Sequence, residues 1–160
     1  MKIIPVIPAR QWTKNSCGAA MYQMVVRHIN GVRCTHAKVA EYLGCKPHGV
    51  TFTRLRSALK DADVCTRFVG VSEAKLDYEL QKSNLIIVDD MLTWKEPHFV
   101  LITGCTSKYY VVIDPLIGIP TLRPKGRVVR SATAAMTAGE YGGVKRSVNR
   151  ARLRALSAVT

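Results

Sequence analysis

Residues 11–20 read QWTKNSCGAA, with a glutamine and a cysteine six places apart. Asn15 or Ser16 is placed to cap a helix that starts at Cys17 and runs to about Ile29, where Asn30-Gly31 supplies the stop. Met21, Met24, Val25 and Ile29 form one apolar stripe along it. A thiol in the first turn of a helix lies among unpaired backbone N–H groups, at the positive end of the macrodipole. That setting favours thiolate over thiol. The rest of the chain must therefore be searched for a base, a group that orients the base, and a cleft.

Outward from this helix the pattern changes once. A second helix is expected from Thr35 to Gly44 with Val39, Ala40 and Leu43 inward, and a third from Thr51 or Thr53 through Leu55, Ala58 and Leu59. A short extended run, CTRFVGV, leads to Ser72 and a fourth helix carrying Leu76 and Leu80. After Asn84 come LIIVDD, HFVLIT, YYVVID and GIPTL, short β-branched and aromatic runs between turn signals, which read as an antiparallel meander. Helices first and strands second indicate an α+β domain rather than alternating βαβ units. The length of 160 residues suits one such domain.

Two strands permit a geometric step. A hairpin centred on Thr106 puts His98 directly opposite Asp114, and opposed residues of an antiparallel pair share a face with Cβ atoms about 4.5–5.5 Å apart. Cysteine attack on an amide needs a thiolate, a base, a group that fixes the base's tautomer, and a donor for the developing oxyanion. The sequence offers Cys17 as nucleophile, His98 as base and later acid, and Asp114 to hold His98. Gln11 is the candidate to join the Cys17 backbone N–H in an oxyanion hole. Gly18 leaves room for an approaching substrate backbone. This chemistry needs neither cofactor nor metal, and its ligand is a peptide or protein.

The pattern Q-x5-C-G-A at a helix start, then His48 to Lys60 (HGVTFTRLRSALK), then PHFVLITG and YVVIDPLIG, resembles the papain-like peptidase domain of bacteriocin-processing exporters. These are the double-glycine leader peptidases. The resemblance covers roughly residues 5–120, and a stand-alone form without the transporter is expected. It implies a papain-like fold, with a helical lobe bearing Cys17 and Gln11, a β lobe bearing His98 and Asp114, and cleavage of leader or precursor peptides after Gly-Gly. A non-cleaving peptide-binding module of the same fold, or a Cys-His amidase acting on peptidoglycan or isopeptide bonds, are the alternatives.

Charge divides the chain. Residues 121–160 carry nine Lys/Arg against Glu140, leaving the first 120 with only +5 of the total +13. A peptidase domain over 1–122 and a basic, partly helical extension over 123–160 are expected. In that extension Arg146, Arg150 and Arg154 align along a helix; a solvated face is the default, and nucleic acid or another polyanion the candidate partner. Gly142-Gly143 raises self-cleavage before Val144, although Thr137 and Glu140 stand where leaders of that family place apolar residues. The five cysteines lack the spacing of a disulfide scaffold, so a reducing, cytoplasmic setting is expected. Two prolines interrupt the opening MKIIPVIPARQ, unlike a secretory signal, and no apolar run approaches the ~18 residues of a membrane span. A short peptidase with a basic tail also suits a phage particle. Cys34, His36, Cys45 and His48 resemble two zinc-ligand pairs, but the intervening helix sets the pairs about 15 Å apart, too far for one ion. Asp89 and Asp90 read as turn or rim carboxylates, and Trp12 and Trp94 as cleft walls or core.

Overall fold

The computed structural model describes residues 2–45, 49–91, 98–140, 153 and 155–157. Its helices form where local signals place them. Helix α1 (Cys17–Asn30) ends on Gly31 and α2 (His36–Leu43) on Gly44, each glycine at a φ of 69°, in the left-handed region that closes a helix without a Cβ penalty. Helix α3 (Phe52–Asp61) starts with Thr51 accepting the Arg54 N–H, and α4 (Glu73–Gln81) with Ser72 accepting that of Lys75. Helix α1 departs from this rule. Ser16 is its N-cap residue, but the Ser16 hydroxyl accepts from the Thr13 N–H and donates to the Thr13 carbonyl, both at 3.0 Å. No side chain caps α1.

The strands are β1 (Lys2–Ile3), β2 (Cys65–Val69), β3 (Leu85–Asp90), β4 (His98–Cys105), β5 (Tyr109–Ile113), β6 (Pro120–Pro124) and β7 (Ala132–Gly139). They form an antiparallel sheet in the order β2-β7-β3-β4-β5-β6, with β1 added against the far end of β4. This is the α+β papain-like arrangement. Both faces of the central strands are covered: Phe52 of α3 lies 5.2 Å from Phe99, while Tyr110, on the opposite face, donates to the Glu73 carbonyl at the start of α4. Double coverage explains why β3 and β4 are buried almost without alternation.

Two expectations change. Only β3 to β6 form a meander. Residues 125–139, assigned by charge to an appendage, form α5 (Lys125–Ser131) and then β7, which inserts between β2 and β3. The sheet therefore continues past residue 122 as far as Gly139. Leu153 and Leu156 also join the core, and the Thr35 N–H donates to the Leu156 carbonyl at 3.0 Å. Gly142-Gly143, Arg146, Arg150, Arg154, His48 and Trp94 lie outside the described residues.

The β4–β5 register is the second change. The turn pairs Cys105 with Tyr110 and Gly104 with Val111, whereas farther along Ile102 pairs with Val112 and Leu101 with Ile113. His98 and Asp114 are thus not directly opposed. Continued unbroken, the register at the turn would have set Asp114 opposite Leu101, on the wrong face, because one residue of slip inverts a strand's sides. A bulge at Thr103 absorbs the odd residue and returns Asp114 to the face of His98. Beside the bulge, a Cβ on Gly104 would lie 2.4 Å from the Lys2 carbonyl oxygen. Gly104→Val should therefore lower the urea midpoint, by about 1–3 kcal/mol of stability. An unchanged midpoint would show that β1 does not pack there.

Candidate active site

Cys17 is buried at the start of α1, next to N–H groups that no side chain caps. His98 is the first residue of β4, and Asp114 follows β5 directly. The His98 Nε2 lies 2.7 Å from Asp114 Oδ1, and since a carboxylate only accepts, Nε2 carries the proton. That leaves Nδ1 for the Cys17 side chain, which lies close enough to the imidazole to raise its pKa. Three chain segments that are distant in sequence thus bring sulfur, ring and carboxylate together.

The series continues beyond Asp114. Asp114 Oδ1 accepts the Leu116 N–H at 3.0 Å, and Asp114 Oδ2 accepts from Arg123 at 2.6 Å. The other arm of the Arg123 guanidinium reaches Asp90 Oδ2 at 2.9 Å. Asp90 is the cross-strand partner of His98. Neither residue is where the sequence alone places it: Asp90 is only 5% exposed rather than a rim carboxylate, and Arg123 belongs to the sheet rather than to a tail. Alternation pointed to Asp90, since the end of LIIVDD pairs with the start of HFVLIT; nothing local pointed to Arg123.

Gln11 is buried, and its N–H donates to the Pro115 carbonyl at 2.9 Å, tying its segment to the turn after Asp114. Its side-chain Nε2 donates to the Thr13 and Lys14 carbonyls, both at 2.9 Å, so both amide hydrogens are engaged in the loop just before Cys17. Gly18 also meets a packing demand: a Cβ there would stand 3.1 Å from Val50 Cβ. Trp12 is 71% exposed and stacks on His36 at 5.0 Å. Of the residues weighed as metal ligands, His36 Nδ1 hydrogen-bonds Gln23 Oε1 at 2.9 Å, and Cys45 packs near Cys17 and Ala19. Among the described residues no three His, Cys, Asp or Glu side chains cluster as a metal site.

Electrostatics follow the hydrogen bonds. Burial by itself lowers the pKa of His98, but the hydrogen bonds to Asp114 and Cys17, with their charges, outweigh it and lift the imidazole to about 9. For Asp114, burial pushes up, and the stronger combined pull of His98, the Leu116 N–H and Arg123 holds the carboxyl below its usual range. An imidazole held by a carboxylate and set beside a thiol is the arrangement in which a base can activate a cysteine.

A cysteine at a helix start, beside an imidazole and a carboxylate delivered by an antiparallel sheet, is the arrangement of a papain-like cysteine peptidase. The sequence matches the model of the Peptidase C39 family over residues 6–125. The chain belongs to that family and is a cysteine peptidase, a hydrolase. Solved structures share its fold. The peptidase domain of Streptococcus ComA, a bi-functional ABC transporter involved in quorum sensing, superposes with a TM-score of 0.69 at 20% identity, over 88% of this chain and 98% of that one. A double glycine motif protease from an AMS/PCAT transporter, solved with its leader peptide, gives 0.66 at 20% identity, over 86% and 95%. No curated protein matches significantly. No helix among the described residues is long and apolar enough to cross a membrane.

The raised His98 ties stability to pH. A group whose folded pKa is raised stabilises fully below its unfolded value, near 6.5, and the contribution is lost as pH rises through about 9. The melting temperature of the wild type relative to His98→Gln should therefore be steady below pH 6.5 and decline towards pH 9 and beyond. Parallel curves across that window would mean that the imidazole is not held charged.

Proposed function

We propose that the protein is a cysteine endopeptidase that cuts leader or precursor peptides after Gly-Gly, with Cys17 as nucleophile, His98 as acid and base, and Asp114 as the group that orients His98. The observation that carries this reading is the convergence of the Cys17 side chain, the His98 ring and the Asp114 carboxylate, with His98 Nε2 2.7 Å from Asp114 Oδ1. The Gly-Gly preference is supported by the family and by the leader-bound double glycine motif protease of the same fold.

The Cys17 thiolate attacks the scissile carbonyl carbon, and the oxygen takes the negative charge. Uncapped N–H groups at the start of α1 point to where that charge develops. Gln11 adds a donor when the oxyanion displaces the Thr13 or Lys14 carbonyl from its amide. The His98 imidazolium gives its Nδ1 proton to the leaving amine, the C–N bond breaks, and a thioester remains. Neutral His98 then takes a proton from water; the hydroxide attacks the thioester, and the thiolate leaves with the acid product. Asp114 accepts from Nε2 throughout, which keeps Nδ1 aimed at the sulfur.

A peptide carrying a leader, a Gly-Gly pair and a cargo segment should be cut once, after the second glycine, as read by mass spectrometry. Cys17→Ala should yield no product while keeping the circular-dichroism spectrum of the wild type. Gln11→Ala should lower kcat by about 10²–10³-fold, the scale of one lost oxyanion donor. Iodoacetamide should label Cys17 first, because burial raises Cys34 to about 11 and also lifts Cys45 and Cys105. Cleavage by Cys17→Ala would overturn the mechanism, whereas efficient cleavage at sites without glycine would overturn only the specificity.

A further inference from the structure

We propose that Arg123 is a positioning residue for the reaction: by forking between Asp114 and Asp90 it keeps the Asp114 carboxylate ionised, with Oδ1 turned to His98. The inference rests on the reading of Cys17, His98 and Asp114 given above and assigns a role to two residues outside it. The geometry is specific. One guanidinium places one nitrogen 2.6 Å from Asp114 Oδ2 and another 2.9 Å from Asp90 Oδ2. All three side chains are buried or nearly so. Asp114 Oδ1 is occupied by His98 and the Leu116 N–H, and Oδ2 by Arg123. With donors on both oxygens the carboxylate cannot rotate away from the imidazole.

The charges explain why arginine is needed. Among the described residues, the charged and titratable groups facing Asp114 and His98 are Asp89 and Asp90 from β3, Arg123 from β6 and Cys17 from α1. Without Arg123 two carboxylates, Asp90 and Asp114, would share a site largely removed from water and lose the guanidinium that bridges them. Like charges so placed drive one carboxyl to take a proton. A protonated Asp114 would no longer be an acceptor on both oxygens, and His98 would lose the partner that fixes its tautomer. Lysine, a single compact cation, does not reproduce a planar fork that reaches two acceptors.

The test uses the full chain and two readouts, the pH profile of kcat/KM on a Gly-Gly leader peptide and the pH dependence of Cys17 alkylation by iodoacetamide. In Arg123→Gln the acid limb of both should move up by about one pH unit or more, the shift expected when a neighbouring opposite charge is lost, and kcat/KM should fall at least ~10-fold. Asp90→Asn, which leaves Arg123 to Asp114 alone, should not raise the acid limb. Asp90→Asn/Arg123→Gln removes the unpaired charge that endangers folding of the single variant, and its acid limb should still be raised. An acid limb in the double variant coincident with the wild type would overturn the role of Arg123. If wild-type Cys17 is not labelled first, or Cys17→Ala still cleaves, the catalytic reading itself fails.

Discussion

The structure depends on keeping one buried carboxylate charged. Asp114 is 2% exposed, and a carboxylate that loses water must recover in hydrogen bonds what it gave up in hydration. It does so with three kinds of donor: a ring N–H from β4, a backbone N–H from the turn that follows it, and a guanidinium from β6. The turn itself is closed by the Ile117 and Gly118 N–H groups on the Asp114 carbonyl, with Gly118 at a φ of 74°. The same carboxylate thus organises the backbone below it and the imidazole above it. Removing any one donor leaves the remainder to hold a charge in a medium that screens poorly, so the parts of this cluster are expected to act as a unit rather than additively.

Strand parity is what brings those donors together. A strand has only two sides, and Asp114 reaches the correct one because the bulge at Thr103 cancels the odd register set at the Cys105–Tyr110 turn. The bulge is in turn flanked by β1, whose backbone comes too close to Gly104 to tolerate a Cβ. Features that look like irregularities of β4 are therefore conditions for the chemistry at its other end.

How much of this was legible depended on distance along the chain. The boundaries of α1 to α4 were readable because the signals are local: Gly31 and Gly44 close helices through their own φ, and Thr51 and Ser72 cap through hydrogen bonds three residues away. That Cys17, His98 and Asp114 come together was readable because each lies at the end of an element. Strand β7, ATAAMTAG, was not. Its alanines and glycine carry little strand preference and outweigh its two threonines, and it is extended because β2 and β3 flank it on both sides. Arg123 looked like one more tail cation, since its bond to Asp90 spans 33 residues. The hairpin was centred about one residue off because nothing in Cys105–Tyr109 distinguishes a three-residue from a four-residue loop, and no local pattern announces the bulge.

The start of α1 shows the opposing side of the same logic. Ser16 stands at the position where a hydroxyl ordinarily caps a helix, yet it turns to Thr13 and closes the loop before the nucleophile instead. An absent side-chain cap costs about 1 kcal/mol in an ordinary helix. Here α1 is held by its surroundings: Ala19, Ala20, Met21, Tyr22, Met24, Val25 and Val26 are essentially inaccessible, so tertiary packing rather than end-capping keeps it formed. The Ser16 carbonyl takes the Ala19 N–H at 3.1 Å, so part of the first turn is closed by backbone while its hydroxyl serves the loop. Packing along the helix thus lets Cys17 sit in the first turn, at the positive end of the helix dipole, with no side-chain cap competing for that position.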